Sequence, residues 1–569
     1  MDAMSSDAER PWISSYAEGV PADIDPPTHS LPHLIEESVA AYGDHVALEF
    51  FGRTTTYREL GAAIDRAAGG LKRLGVQAGD RVALVLPNCP QHVIAFYAVL
   101  RLGAVVVEHN PLYTPREMRH QFEDHGAKLA IAWTKVVASL QDMPADIGLE
   151  TIVAVDLVDA MPARLRIALR LPVKKARESR AQLQAKVRGA VRWDEVVSSK
   201  RVKASVPRPE VEDLALIQYT SGTTGVPKGA MLTHGNLVAN AAQARAWVPA
   251  VPRGTSVVYA VLPLFHAHGL TLCLTFAMSM GARLVLFPNF DPDTVLNVVK
   301  KRPATFLPAV PPIYERLVKA AKAKKVSLSG IEIAISGAMS LPDTIVGLWE
   351  KETGGYLVEG YGLTEASPVL MANPVGSTRK AGTVGLPMPS TLLRVVDPDD
   401  RSRTMPIGEP GELEARGPQI FRGYWRRPEE TAAVLDADGW LRTGDVVTMD
   451  EQGFVRIVDR IKELIITGGF NVSPTEVEDE LRAYEGIADL SVVGLPHARG
   501  GEDVVAAVIM KPGSSFDEDA IRAFARSAMT PYKVPRRVFE VDELPRSIVG
   551  KVLRRQVVEL LTARLADES

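Results

Sequence analysis

The chain is expected to fold as an α/β protein with parallel sheets covered by helices, followed by a smaller β-rich unit and a last α+β unit. Three observations lead there. Short apolar or β-branched runs recur from about residue 31, with helix-like stretches such as 90–104 between some of them. From about residue 385, glycine, proline and aspartate become dense and the runs shorten. Beyond the charged segment Asp459-Arg460-Ile461-Lys462-Glu463, a final stretch of about 110 residues carries three further runs. At roughly 150 residues per domain, a chain of this length holds three or four structural units.

Taken in order, residues 1–30 read as an extended arm, because Pro21, Pro26 and Pro27 oppose helix. The runs at 81–87, 104–110, 128–133 and 151–156 read as strands. Residues 161–192 form a strongly basic insertion. Within it Leu183, Val187 and Val191 fall at i, i+4 and i+8 beside Lys186, Arg188 and Arg192, which predicts a basic amphipathic helix. Such a helix can lie on an anionic membrane surface; the alternative is a solvated excursion packed on its own domain. The strand rhythm resumes at LALIQYT (214–220) and continues through YLVEGYG (356–362). The shorter runs TLLRVVD and GELEARG then suggest an antiparallel β unit, and DLSVVGLP, DVVAAVIM and RVFEVDELP suit a small α+β domain.

Composition narrows the function classes. With 46% hydrophobic and 24% charged residues the chain fits a globular protein. A formal net charge of -4 gives no global reason to expect nucleic-acid binding. Cys89 and Cys273 make neither a disulfide framework nor a zinc site, so a reduced, cytoplasmic setting is expected. The acidic, polar start lacks the pattern of a signal peptide, and no apolar run reaches the roughly 20 residues needed to span a bilayer. Peripheral contact with the inner face of the membrane, through the insertion, stays open beside a purely cytoplasmic location. Oligomeric state is not readable.

The strongest chemical signal is Tyr219-Thr220-Ser221-Gly222-Thr223-Thr224-Gly225-Val226-Pro227-Lys228-Gly229. It follows an apolar strand. Its glycines let backbone approach a ligand closely, its hydroxyls and N–H groups can cradle phosphate oxygens, and Lys228 adds positive charge. It is not a Walker A loop, because Lys228 stands between Pro227 and Gly229.

This loop resembles the signature of the adenylate-forming superfamily: acyl-CoA synthetases, luciferases and the adenylation domains of peptide synthetases. Further motifs follow in that family's order over nearly the whole chain. The resemblance implies a large α/β N-terminal domain, residues 31–459, built of two sheet-based subdomains plus a small β-barrel-like one. A smaller, mobile α+β C-terminal domain, residues 460–569, would follow.

It also implies roles. In Leu262-Pro263-Leu264-Phe265-His266-Ala267-His268, His266 would line the carboxylate end of an acyl pocket, while His268 reads as structural. The turn at Gly337 and Ala338 would approach adenine. In the run Glu359-Gly360-Tyr361-Gly362-Leu363-Thr364-Glu365, Tyr361 would stack on adenine and the glycines leave room for ligand. Thr364 would contact the α-phosphate. Glu365, with Thr220, would hold Mg²⁺, an ion that prefers hard oxygen donors. Asp445 would accept both ribose hydroxyls, Arg460 would meet the nucleotide, and Lys462 would be the hinge. Gly468, Gly469 and Phe470 would line a pantetheine tunnel, and Lys551 would be the adenylation lysine.

The implied reaction joins an acid to coenzyme A at the expense of ATP, through an acyl-adenylate. The segments RPWISSYAEGVPADIDPP, HNPLYTPREMRHQFEDHGAK and GGFNVSPTEVEDEL resemble bacterial long-chain fatty-acid–CoA ligases. His109 departs from that pattern, where relatives more often carry a small polar residue. Fatty acid, ATP and CoA are thus the expected substrates. Three alternatives stay open: an aryl acid such as a cinnamate, transfer to a carrier protein, or a non-enzymatic acyl- or nucleotide-binding protein on a membrane.

Overall fold

The computed structural model describes residues 10–220, 227–460, 463–467, 470–497, 502–547 and 550–567. The chain falls into two compact units. One comprises Trp12–Leu392 with Arg416–Leu441; the other comprises Met1–Pro11, Leu393–Ala415 and Arg442–Ser569. Residues 393–415 and 442–459, expected with the N-terminal domain, therefore group with the C-terminal residues.

The larger unit is built on two mixed sheets. In one, the strands Arg81–Val85, Val105–Glu108, Leu129–Trp133, Thr151–Val155 and Leu214–Thr220 run parallel. In the other, Val46–Phe50, Val257–Ala260, Arg283–Leu286, Phe306–Ala309, Ile333–Ser336 and Tyr356–Gly362 do so. Apart from Val46–Phe50 these are the expected apolar runs, and their near-continuous burial is what strands covered on both faces require. The antiparallel edges Arg53–Thr56 and Gly423–Tyr424 carry little hydrophobic pattern and were not legible, and the short buried run Val369–Ala372, antiparallel to Tyr356–Gly362, was not picked out either.

Helix starts follow local chemistry. Thr56 with Glu59, Thr114 with Glu117 and Thr233 with Asn236 each form a reciprocal capping box. On the sheet that contains Tyr356–Gly362, the helices Pro292–Val299, Pro311–Lys324 and Asp343–Thr353 pack through Val295, Leu317, Tyr314 and Trp349. Asn88 ties the two sheets together. Its amide donates to the carbonyls of Ala260 and Leu262 at 2.9 and 2.8 Å and accepts the Leu264 N–H at 2.8 Å.

The arm is strapped onto this unit. Trp12 is buried in a short 3-10 turn, Pro11–Ser15, and Tyr16 donates to the Pro387 carbonyl at 2.7 Å. The Ile24 N–H donates to Ser390 Oγ at 2.9 Å.

The predicted amphipathic helix through Leu183, Val187 and Val191 does not form. A helix spans Lys174–Leu183 and stops, and Val191–Arg192 is a parallel edge strand. The physical reason is a set of competing partners. Trp133 Nε1 donates to the Leu183 carbonyl at 2.7 Å, and the Ala185 N–H donates to Thr134 Oγ1 at 3.2 Å. Val187 packs against the domain core instead of facing outward.

The smaller unit holds a four-stranded sheet of Leu392–Val396, Gly411–Arg416, Leu441–Met449 and Val455–Arg460. It also holds a three-stranded sheet of Ile487–Pro496, Glu502–Met510 and Arg537–Glu540. Alternating residues of that sheet feed two cores. Val492, Val504 and Ala506 meet helices Pro474–Leu481 and Glu518–Ala528, while Val493, Val505 and Ala507 meet helix Arg554–Asp567. Arg554 bonds both Glu463 and Glu478, the latter at 2.9 Å. Among the described residues no helix is long and apolar enough to cross a membrane.

Candidate active site

In the larger unit, the predicted phosphate-gripping loop springs from a hairpin. Strand Leu214–Thr220 pairs antiparallel with Lys228–Thr233, so that Thr220 stands opposite Lys228 and Tyr219 opposite Gly229. Ser221, Gly222, Thr223, Thr224 and Gly225 lie outside the described residues. Gly229 has a local reason to be glycine: a Cβ there would come within 2.6 Å of Ile217 Cγ2. The hairpin base is braced from behind. Tyr219 donates its hydroxyl to Asp124 Oδ2 at 2.7 Å, and the His109 ring stacks on Phe122 with centroids 4.9 Å apart. His109 Nε2 lies 3.1 Å from His125 Nε2. Burial pushes the His109 imidazole down to about 3. A neutral ring fits this apolar stack, so the departure at this position has a packing role.

A two-residue strand, Gly423–Tyr424, adds to the hairpin's outer edge, with Tyr424 opposite Ala230. This brings together two predicted site residues. The Lys228 ammonium sits over the Tyr424 ring, 5.1 Å from its centroid. The Tyr424 hydroxyl donates to Glu365 Oε1 at 2.7 Å. Burial, then the Glu365 carboxylate, push the Tyr424 phenol up, so it stays a donor. The Phe421 N–H also bonds the Glu365 carbonyl, at 2.8 Å. Tyr424 was missed in the sequence. Its signal is a lone Gly-Tyr-Trp far downstream of both partners, and only pairing to the hairpin gives it a role.

The second sheet delivers the remaining groups at the carboxyl ends of its parallel strands, where α/β proteins place ligands. Ser336 pairs with Glu359, so the Gly337-Ala338 turn leaves its strand beside Gly360 and Tyr361, which continue the neighbouring strand. Ala338 has φ of 67°, a left-handed conformation. Tyr361, Thr364 and Glu365 are half-buried. Thr364 and Glu365 open a one-turn 3-10 helix, Thr364–Ala366. Gly362 has no room for a side chain, because a Cβ would overlap the Pro368 carbonyl oxygen. Glu359 is pushed up to about 8, chiefly by burial, against a lowering backbone bond at Leu341. A protonated Glu359 adds no negative charge beside Gly360 and Tyr361.

His266 caps a short helical turn that runs into a π-helix, Leu270–Thr275. Such wide turns concentrate at functional sites, and nothing in the sequence announced this one. Gln218 Nε2 donates to the Phe265 carbonyl at 3.0 Å, which ties the His266 segment to the hairpin strand. Thr271 Oγ1 donates to the Ser367 carbonyl at 2.6 Å, which ties it to the Glu365 turn. Burial lowers His266, and pushes His268 down to about 3. His268 has a role beyond filling the core: its ring lies against Gly337, where a Cβ would meet Cε1 at 2.7 Å.

The smaller unit carries the other predicted residues. Asp445, buried on Leu441–Met449, pairs in register with Arg460 of the neighbouring strand. Phe470 pairs with Thr467, while Lys462, Gly468 and Gly469 lie outside the described residues. Lys551 sits at the end of a tight turn. The Ser547 N–H donates to the Lys551 carbonyl at 2.8 Å, and the Lys551 N–H donates to Ser547 Oγ at 3.2 Å. Gly550 supplies the positive φ of 83° that this turn needs.

With this geometry in hand, the chain can be set beside known proteins. A family profile described as AMP-binding enzyme matches residues 35–425, and one described as AMP-binding enzyme C-terminal domain matches residues 476–551. A long-chain-fatty-acid–CoA ligase of Bacillus subtilis (strain 168) is 38% identical over 560 residues, covering 97% of this chain and 98% of that one. A 4-coumarate–CoA ligase of Solanum tuberosum is 34% identical and covers 90% of each chain. Among solved structures, ATP-bound MatB from Rhodopseudomonas palustris superposes with a TM-score of 0.80 at 30% identity, covering 94% of this chain and 99% of that chain.

Proposed function

The chain belongs to the AMP-binding enzyme family, and on that premise we propose that it joins long-chain fatty acids to coenzyme A. ATP is cleaved to AMP and pyrophosphate by way of an acyl-adenylate. The observation that carries this reading is the juncture at Tyr424, where a cation and a carboxylate of the predicted phosphate site meet on one side chain. The chain-length class rests on the 38% identity to the Bacillus subtilis ligase, above the 34% to the coumarate ligase.

The chemistry follows from charge. A carboxylate must approach ATP, another polyanion, and attack its α-phosphorus in line. Catalysis of such a transfer is mostly positioning and electrostatic stabilisation. Lys228 and the loop from Thr220 to Gly225 take the phosphates, and Thr364 takes the α-phosphate. Tyr361, with Gly337, Ala338 and Gly360, receives the adenine, while Asp445 holds the ribose hydroxyls and Arg460 meets the nucleotide. His266 faces the substrate carboxylate. Lys551 supplies the cation for the charge that develops at the reacting oxygens. The residues fit Mg²⁺: Glu365 offers a hard carboxylate donor with one oxygen steadied by Tyr424, and Thr220 offers a hydroxyl. When bound, that ion supplies further positive charge to the triphosphate. In the second half-reaction the CoA thiol attacks the acyl carbon and AMP leaves. The C-terminal domain begins at residue 460 and turns about Lys462 between the two half-reactions. Gly468, Gly469 and Phe470 then border the pantetheine arm. The 161–192 insertion gives the ligase a contact with the membrane in which its substrate dissolves.

AMP release with acids from C2 to C20 and with aryl acids, each with and without CoA, tests the reading. Turnover is expected with long alkyl acids and to depend on CoA. Turnover confined to hydroxycinnamates would make it an aryl ligase, and adenylate formation without CoA-dependent AMP release would make it a carrier-loading enzyme. Lys551→Ala is expected to block adenylation while sparing thioester formation from supplied acyl-adenylate. Equal loss of both half-reactions would refute the role of Lys551.

A further inference from the structure

We propose that the surface segment 163–177 docks on the headgroup region of an anionic phospholipid bilayer. This deepens the membrane contact named above and borrows from the ligase reading only its purpose, access to an acid dissolved in lipid. The segment leaves the core after Met161, which is buried, and returns where Trp133 grips the Leu183 carbonyl. Between those anchors lie a short helix, Ala163–Ala168, a turn containing Pro172, and the helix Lys174–Leu183. Neither helix buries a single residue. The excursion therefore contributes no fully buried side chain to the core it hangs from.

Its composition is unusual for a solvated loop. Eight large apolar side chains are left exposed among the described residues, and three fall within seven residues of this excursion: Ile167 at 64%, Leu171 at 51% and Val173 at 52%. Lone exposed apolar residues need no explanation, but three so near in sequence, on an excursion with no buried side chain, mark an interaction surface. The charge around the tip says what it meets. Six cations, Arg164, Arg166, Arg170, Lys174, Lys175 and Arg177, fall between 163 and 177, with no aspartate or glutamate among them. Lys174 lies 3.9 Å from Glu178, and the other five have no ion pair among the described residues. Apolar side chains ringed by uncompensated cations match the interfacial zone of an anionic bilayer, where aliphatic groups enter below the headgroups and Lys or Arg stay at their level. Each such cation strengthens binding roughly fivefold near an anionic surface at moderate salt. The basic helix predicted farther along, at 183–191, is not the contacting element; the tip at 167–173 is.

Liposome flotation of the full chain tests this, with vesicles of phosphatidylcholine alone and of phosphatidylcholine mixed with phosphatidylglycerol. The wild-type chain is expected to float with the mixed vesicles at low salt and to be released by high salt. It is expected to stay behind with phosphatidylcholine alone. The triple variant Ile167→Ser, Leu171→Ser, Val173→Ser, and separately Arg166→Gln with Arg170→Gln and Lys175→Gln, should each weaken flotation at least tenfold. Because no buried residue is touched, their thermal unfolding and their AMP release with a water-soluble acid should match the wild type. Failure of the wild type to float with anionic vesicles, or equal flotation of both variants, would overturn the proposal. Binding to poly-glutamate without binding to vesicles would assign the surface to an acidic protein and overturn it too. Flotation by a chain that activates no fatty acid would leave this surface standing and remove the ligase reading instead.

Discussion

Glu365 and Tyr424 stand 59 positions apart in sequence, yet one hydroxyl joins them. The carboxylate is half-buried, so a single donor decides where it points. A hydrogen bond to a charged group contributes about 1.5–3 kcal/mol. Tyr424→Phe keeps the ring beneath Lys228 and removes that donor. The expected result is a roughly 10- to 100-fold fall in kcat/KM for ATP, together with a modest drop in unfolding temperature. AMP-release kinetics at varied ATP check it; an unchanged kcat/KM would mean that Tyr424 does not position the carboxylate. Arg554 is a second residue of this kind. It bonds Glu463, beside the predicted hinge, and the buried Glu478.

At the scale of elements, the site is made where strands stop. The Tyr356–Gly362 strand ends against the returning chain, and the next strand, Val369–Ala372, folds back along it. Between them Ser367 takes a positive φ of 71°, and its hydroxyl donates to the Gln419 carbonyl at 2.8 Å. The turn that presents Thr364 and Glu365 is thus pinned at both ends. Gly362→Ala would force a methyl group into the Pro368 carbonyl, and overpacking of this kind costs about 1–3 kcal/mol. A lower unfolding midpoint together with weaker ATP use is expected, read by urea titration and AMP release. Loss of neither would mean that the turn relaxes freely. The π-helix after His266 serves the same end, since its Thr271 ties the His266 segment to that turn.

For the whole molecule, acidity acts through histidines that the larger unit keeps neutral. Burial pushes His109 and His268 to about 3 and His234 to about 4. Unfolded, each would take up a proton near pH 6.5. The unfolded state therefore binds more protons as pH falls below that value, and stability is lost with falling pH down to about 3–4. Each group contributes a slope of up to ~1.4 kcal/mol per pH unit. Glu359, raised to about 8, has the opposite sign: its contribution is full below about 4.5, the unfolded value, and fades as pH rises through 8. Three groups outweigh one, so the urea midpoint of the larger unit should drop steadily between pH 6.5 and 4. A flat midpoint over that window would show that these rings are protonated in the native state.

The sequence by itself determined the α/β class, most of the parallel strands and, through the loop at 219–229, the family. Those are local properties: apolar runs need no partner to be read, and a Gly-Ser-Thr loop with one lysine has few other uses. It also set the order of the candidate site residues along the chain. Tertiary structure alone decided that Tyr424 binds Glu365, that His109 belongs to a buried stack, and that His268 packs on Gly337. It also stopped the basic helix at Leu183 and left the apolar tip at 167–173 exposed. Each of these turns on a partner distant in sequence, and the 3.6-residue period that suggests a helix cannot register a tryptophan N–H waiting fifty residues upstream to claim its carbonyl.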